Sequence, residues 1–183
     1  KSKRWLVDTL KSLEIDLGMV YLCGGWYATL APMLFNTNLN VEKIRSFDID
    51  ESCASIAECV NKVNVKDEWK FKASTLDIHD LRYNNFSYTT KRSDGSEVKL
   101  TETPNTIINT SCEHIENFHE WYDKVPWDKL LCIQSNNYFE IEDHVNCSYD
   151  LQAFHADTYM SRVLYKGEIE LPKYQRFMKI GYK

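Results

Sequence analysis

Leu6, Leu10, Leu13 and Leu17 recur in steps of four and three, which lines them along one side of a helix. The spacing predicts an N-terminal helix over 3–17, stopped by Gly18, since glycine takes up the left-handed conformation at a helix end without a side-chain clash. Val20–Cys23 then reads as a short apolar strand, VYLC. It runs into Gly24, Gly25, Trp26 and Tyr27 and a second apolar helix through Phe35, with Pro32 near its first turn, where a missing N–H costs little. KIRSFDID is a second strand, ending in Asp48 and Asp50. A helix follows from Glu51, with Cys53, Ile56 or Ala57, Val60, and Val63 or Asn64 facing inward and Glu58 and Lys62 outward. WKFKAST alternates as a third strand, and TLDIHDL leaves it as a loop.

The segment 84–103 breaks this rhythm: two alternating runs meet at Ser93, Asp94 and Gly95, a hairpin signal, and the hairpin is expected to project from the sheet. NTIINTS resumes the strands at Asn105, followed by a helix carrying Ile115, Phe118, Trp121 or Tyr122, and Val125. A fifth strand covers Trp127 to Ile133 and ends in polar residues up to Tyr138. A helix around Tyr149–Tyr159 leads to two final strands, RVLYKGEIEL and QRFMKIGYK. Alternating strands and helices imply a mostly parallel sheet with helices on both faces. The last two strands, joined by a short proline-containing turn, should pair antiparallel. The expectation is one three-layer α/β domain over 1–183, with seven strands in the sheet.

Its 183 residues suit a single core, and 43% hydrophobic with 27% charged residues is the balance of a globular chain. A formal charge of -5 argues against a chain-wide grip on nucleic acid. No apolar run reaches the roughly 18–20 residues that span a bilayer, so no membrane partner is expected. The basic, amphipathic opening segment does not read as a signal peptide. The six cysteines show no CxxC pair and lie mostly in apolar or helical segments, which reads as reduced thiols in a cytoplasmic protein.

Open α/β sheets bind ligands beyond the carboxyl ends of their strands. That rule selects Gly24, Gly25 and Trp26 after the first strand, Asp48 after the second, Thr75 and Asp77 after the third, Asn109 to His114 after the fourth, and Ser135 to Tyr138 after the fifth. Two glycines let a ligand approach the backbone. Asp48, about 23 residues beyond them, can accept hydrogen bonds from a ribose diol, and Asp77 from an adenine amine. Asp50 reads as the cap of the next helix. Glu113 with His114 suggests acid–base work, although a glutamate in a first turn also suits a helix dipole. The five histidines show no zinc spacing, so no metal site is expected. P-loop and esterase-elbow motifs are absent.

These segments together resemble the class I S-adenosylmethionine-dependent methyltransferases. VYLCGGWYATL is similar to their glycine loop, FDID to their second motif, STLDIHDL to their third, and NTIINTSCEHI to the segment around their fourth strand. The terminal antiparallel pair is another habit of that family, and small enzymes of viral origin are similar. The resemblance implies a Rossmann-like methyltransferase sheet with an inserted hairpin. It implies S-adenosylmethionine as cofactor, contacted by Cys23, Gly24, Gly25, Trp26, Asp48, Ile49, Asp77, Ile78 and Asn109. It places Asn109, Glu113, His114 and Tyr138 where methyl transfer to a small-molecule or terminal-group acceptor takes place. Leu22 stands where the family loop has an acid, and Trp26 or Tyr27 where it has a glycine. That bulk is the basis of the alternatives: a non-catalytic binding or scaffold protein, or another enzyme acting on an adenosyl cofactor.

Overall fold

The computed structural model describes residues 1–66 and 69–183. In chain order the elements are α1 (Ser2–Ser12), β1 (Gly18–Cys23), α2 (Leu30–Phe35), β2 (Val41–Asp48), α3 (Glu51–Val60), α4 (Lys62–Val65), β3 (Phe71–Thr75), β4 (Phe86–Lys91), β5 (Glu97–Glu102), β6 (Thr106–Asn109), α5 (Phe118–Lys124), β7 (Leu130–Asn136), α6 (Leu151–Asp157), β8 (Arg162–Glu170) and β9 (Gln175–Tyr182). Short 3-10 turns cover Ile78–Asp80 and Cys112–His114.

Seven strands form one sheet in the order β3-β2-β1-β6-β7-β9-β8. The first five are parallel, and β9 runs antiparallel between β7 and β8. The order reverses between β1 and β6, so a crevice opens there at the carboxyl ends of the strands. Alternation along β1 divides the core. Val20 and Leu22 pack with Leu6, Leu10, Leu30, Leu34 and Ala57 of α1, α2 and α3. Met19, Tyr21 and Cys23 face the other side, with Trp121 of α5 and Phe154 of α6.

The first helix is shorter than its leucine periodicity predicts. It ends at Ser12, and Glu14 turns into the left-handed region at φ 51°. Leu17 is still fully buried, but from the loop that enters β1. The second helix begins only at Leu30, because the chain from Gly24 to Thr29 is spent on a turn. On α3 the buried positions are Cys53 and Ala57, while Ile56 and Val60 are exposed. Asp50 caps it, accepting from the Ser52 amide at 2.8 Å.

The hairpin β4–β5 forms its own two-stranded sheet and replaces a crossover helix between β3 and β6. It does not stand clear of the domain. Tyr88 and Thr90 are buried against β2 and β3, with the Tyr88 and Phe47 rings 5.3 Å apart and Ser74 Oγ 2.7 Å from Thr90 Oγ1. Arg45 of β2 reaches Glu102 of β5 at 2.7 Å, and the Tyr88 hydroxyl donates to the same carboxylate at 2.8 Å. This polar clamp holds the hairpin over β2 and β3, away from the ends of β6 and β7.

Lys179 is a second charged group drawn inside. Its ammonium donates to the carbonyls of His155 and Thr158, where α6 leaves its last acceptors unpaired. Burial, with a smaller effect of Lys166, pulls Lys179 down to about 8 from 10.5. Between those values the unfolded chain binds the extra proton, so this group's contribution to stability rises with pH from about 8 to 10.5 and is flat below. Urea unfolding at about pH 7.5 and about pH 10 should therefore show the wild type gaining on Lys179→Met at the higher pH. An unchanged difference would contradict this.

Candidate functional site

The chain leaves β1 through a tight turn. Gly24 lies at φ 62°, a region open to glycine at little cost, and a Cβ built there would meet only Ile115 Cδ1 at 3.9 Å. Gly25 is close-packed: a Cβ there would stand 2.0 Å from Ser46 Oγ on the adjacent strand, so that hydroxyl would have to turn away. Trp26 and Ala28 also take left-handed conformations, at φ 50° and 48°. The Gly25 amide donates to the Phe47 carbonyl at 3.1 Å, which ties the turn to the end of β2.

Asp48 completes that tie. One carboxylate oxygen accepts from the Trp26 amide at 2.8 Å and the other from the Asp50 amide at 3.1 Å. The glycine turn and the acid therefore share one hydrogen-bonded unit, and each oxygen keeps a second lone pair. The Trp26 ring does not fill the crevice: it is 56% exposed and stacks on Tyr27 at 4.1 Å. Ile49, next to Asp48, is 71% exposed, an apolar side chain with no core to serve.

Other predicted cofactor residues fall differently. Cys23 and Ile78 are core side chains. Burial pushes the Cys23 thiol up to about 12, so only main-chain atoms there are left for a ligand. Asp77 caps the 3-10 turn, accepting from the His79 amide at 2.8 Å and from Nδ1 of the His79 ring at 2.9 Å. Its carboxyl sits below the usual value: burial acts to raise it, and the His79 bonds together with the Lys124 charge outweigh that. Thr75 is exposed at the end of β3.

At the end of β6, Asn109 is fully buried. Its Oδ1 accepts from the Ser111 amide at 2.8 Å, and its Nδ2 has no partner among the described residues. Glu113 and His114 lie in the 3-10 turn that follows, before α5 begins, so the helix-dipole role does not apply. Glu113 is 3% exposed and pairs with Arg176 of β9 at 2.8 Å through Oε1, while Oε2 has no partner among the described residues. Arg176 also donates to Gln134 Oε1 at 3.3 Å and to the Thr110 carbonyl. Gln134 Nε2 in turn donates to the Ser2 carbonyl at 3.2 Å, which seats the start of α1 beside this group.

Tyr138 leaves β7 with its amide on Asn136 Oδ1 at 2.8 Å and its ring stacked on Tyr174 at 5.3 Å. Its carbonyl accepts from Nδ1 of His144 at 2.7 Å. That bond turns the loop back, and the His144 ring meets the His114 ring edge to face at 4.6 Å. Among the described residues, Glu113, His114 and His144 are the group whose ligating atoms lie within 4.8 Å of one another. The sequence, lacking zinc spacing, led to the expectation of no metal site; the convergence of these three side chains was not legible there. The 29 residues between the two histidines carry no spacing signal, and only the parallel pairing of β6 with β7 joins them. Arg176 was also missed, as was Asn146, whose amide donates to the Glu113 carbonyl at 2.9 Å and whose Nδ2 donates to the Cys112 carbonyl at 3.1 Å. The signal for Arg176 was its charge, which with that of Lys179 interrupts the apolar positions of the last strand, QRFMKIGYK.

No protein-family model matches the chain, and no curated protein matches it. Solved structures do. The MccD protein superposes with a TM-score of 0.68 at 12% identity, over 98% of this chain and 96% of that one. Magnesium protoporphyrin IX methyltransferase (ChlM) from Synechocystis PCC 6803, solved with bound SAM, gives 0.62 at 13% identity, over 100% of this chain and 80% of that one. The methyltransferase domain of bacterial CtHen1-C gives 0.62 at 13% identity, over 99% and 97%. With the strand order described above, these superpositions give the chain the Rossmann-like fold of class I methyltransferases.

Proposed function

We propose that this protein transfers a methyl group from S-adenosylmethionine to an acceptor held beside the turn that carries Glu113 and His114. The observation that carries the reading is the 2.8 Å bond between the Trp26 amide and Asp48, which closes the glycine turn against an acid at the switch point of the sheet. The residues fit an adenosyl group. Asp48 has lone pairs for a ribose diol, the exposed Ile49 offers an apolar surface to a base, and the space over Gly24 admits a close approach to the backbone. The exposed Trp26 ring leaves that approach open, which favours this reading over a scaffold with a plugged loop.

When bound, the cofactor supplies a methyl group already activated on a sulfonium. The protein's task is then to hold an acceptor in line and keep the crevice ordered. Asp48 anchors the cofactor end. Asn109, with its unpartnered Nδ2, is placed to donate at the boundary between cofactor and acceptor. Ile115, which touches the space over Gly24, joins the cofactor turn to the Glu113–His114 turn, so the two halves are contiguous. Glu113, His114 and Tyr138 line the acceptor side. Methyl-labelled cofactor incubated with the protein and fractionated small-molecule and RNA pools tests the reaction. Label in one acceptor fraction, with S-adenosylhomocysteine formed in equal amount, is expected; cofactor breakdown without a methylated product would contradict it.

A further inference from the structure

We infer that Glu113, His114 and His144 bind one divalent first-row metal ion, as a site of the two-histidine, one-carboxylate class. The first argument is convergence. Three residues from two loops bring one ligating atom each within 4.8 Å of the others. Bonds of about 2.0–2.2 Å to a single ion require ligand atoms some 3–3.5 Å apart, a closure that small rotations of the exposed His114 supply.

The second argument is how the side chains are held. Nδ1 of His144 faces the Tyr138 carbonyl at 2.7 Å, and Nδ1 of His114 faces the Asp143 carbonyl at 3.1 Å. A carbonyl only accepts, so each ring carries its proton on Nδ1 and leaves the Nε2 lone pair free. Imidazoles that ligate metals are fixed in this manner, by a bond from the other nitrogen.

The third argument is the carboxylate. Arg176 holds Oε1 of Glu113 and fixes its orientation, while the buried Oε2 has no partner among the described residues. A buried polar atom without a partner costs free energy, and a cation is the partner this one lacks. The guanidinium weakens the attraction for a second positive charge. The loop that delivers His144 carries Glu140, Glu142 and Asp143, all exposed, which offset it. Nitrogen with oxygen donors suits zinc, cobalt, manganese or iron(II) better than magnesium or calcium, which favour all-oxygen sites.

Three protein ligands leave positions open on the ion for water or substrate. The site lies at the ends of β6 and β7, on the acceptor side, a placement that rests on the methyl-transfer reading. There the ion would take an acceptor oxygen and favour loss of its proton.

The test uses the full chain, stripped with chelator, and Co2+ as probe. Saturable visible absorption at one equivalent is expected, displaced by Zn2+. His114→Ala and His144→Ala should each weaken binding by at least about tenfold, since even the outer partners of ligands matter that much. His119→Ala, on the exposed face of α5, should leave it unchanged. Circular dichroism checks the fold, and His144→Asn replaces any alanine variant that fails to fold. No saturable spectrum, or one that survives in the His114→Ala, His144→Ala double variant, overturns the site. Cofactor titration of the stripped protein is read separately. Cofactor binding without cobalt binding overturns the metal site alone, and cobalt binding without cofactor binding overturns the methyl-transfer reading alone.

Discussion

Asp48→Ala should lose roughly ten- to a hundredfold in affinity for S-adenosylmethionine. A hydrogen bond to a charged group contributes about 1.5–3 kcal/mol, and each 1.4 kcal/mol is tenfold in affinity. The substitution also frees the Trp26 amide, so the glycine turn loses its anchor as well as its ligand contact. Asp50→Ala is the control. That side chain only caps α3, so the variant should melt earlier while binding the cofactor as the wild type does. Equal losses in both variants would mean that Asp48 acts through local stability rather than by contact.

The other large effect is on folding. Arg176 and Glu113 are both nearly buried and paired at 2.8 Å. Removing one partner of such a pair leaves a buried charge uncompensated, at a cost of about 3–5 kcal/mol. Arg176→Met should therefore lower the unfolding free energy by that amount, and it also strips the Thr110 carbonyl of its donor. Arg176→Met combined with Glu113→Met should recover most of the loss, because an apolar pair of similar volume avoids desolvation altogether. Chemical denaturation with an unchanged m-value measures both. A single-variant cost below about 1 kcal/mol would place the pair among exposed ion pairs and contradict the account.

The parallel sheet was legible because strands alternate with helices, β1 is a short apolar run ending in glycines, and β2 and β3 end in acidic or polar residues, a rhythm that fits a sheet covered on both faces. The hairpin was legible through Asp94 and Gly95, but its position was not. Tyr88 and Thr90 read as ordinary alternation, and nothing local says that Arg45, more than 50 residues from Glu102, will draw it down. The N-terminal helix was overextended because periodicity records which side chains are buried, not which backbone buries them. Leu17 is fully buried from a loop. Asp48 and Gly24 were found together because a parallel β1–β2 pair places their ends side by side. Glu113 and His114 were named together, but His144 was not joined to them. Their meeting depends on how the loop after β7 folds back through Tyr138, and that is a property of the tertiary structure.

Calorimetric titration of the purified wild-type chain with S-adenosylmethionine examines the shared unit of Gly24, Gly25 and Asp48 most directly. Saturable binding of one cofactor per chain, weakened in Asp48→Ala and preserved in Asp50→Ala, is the predicted result. No heat of binding at millimolar cofactor would show that the crevice at the carboxyl end of β1, beside Asp48, does not hold an adenosyl group.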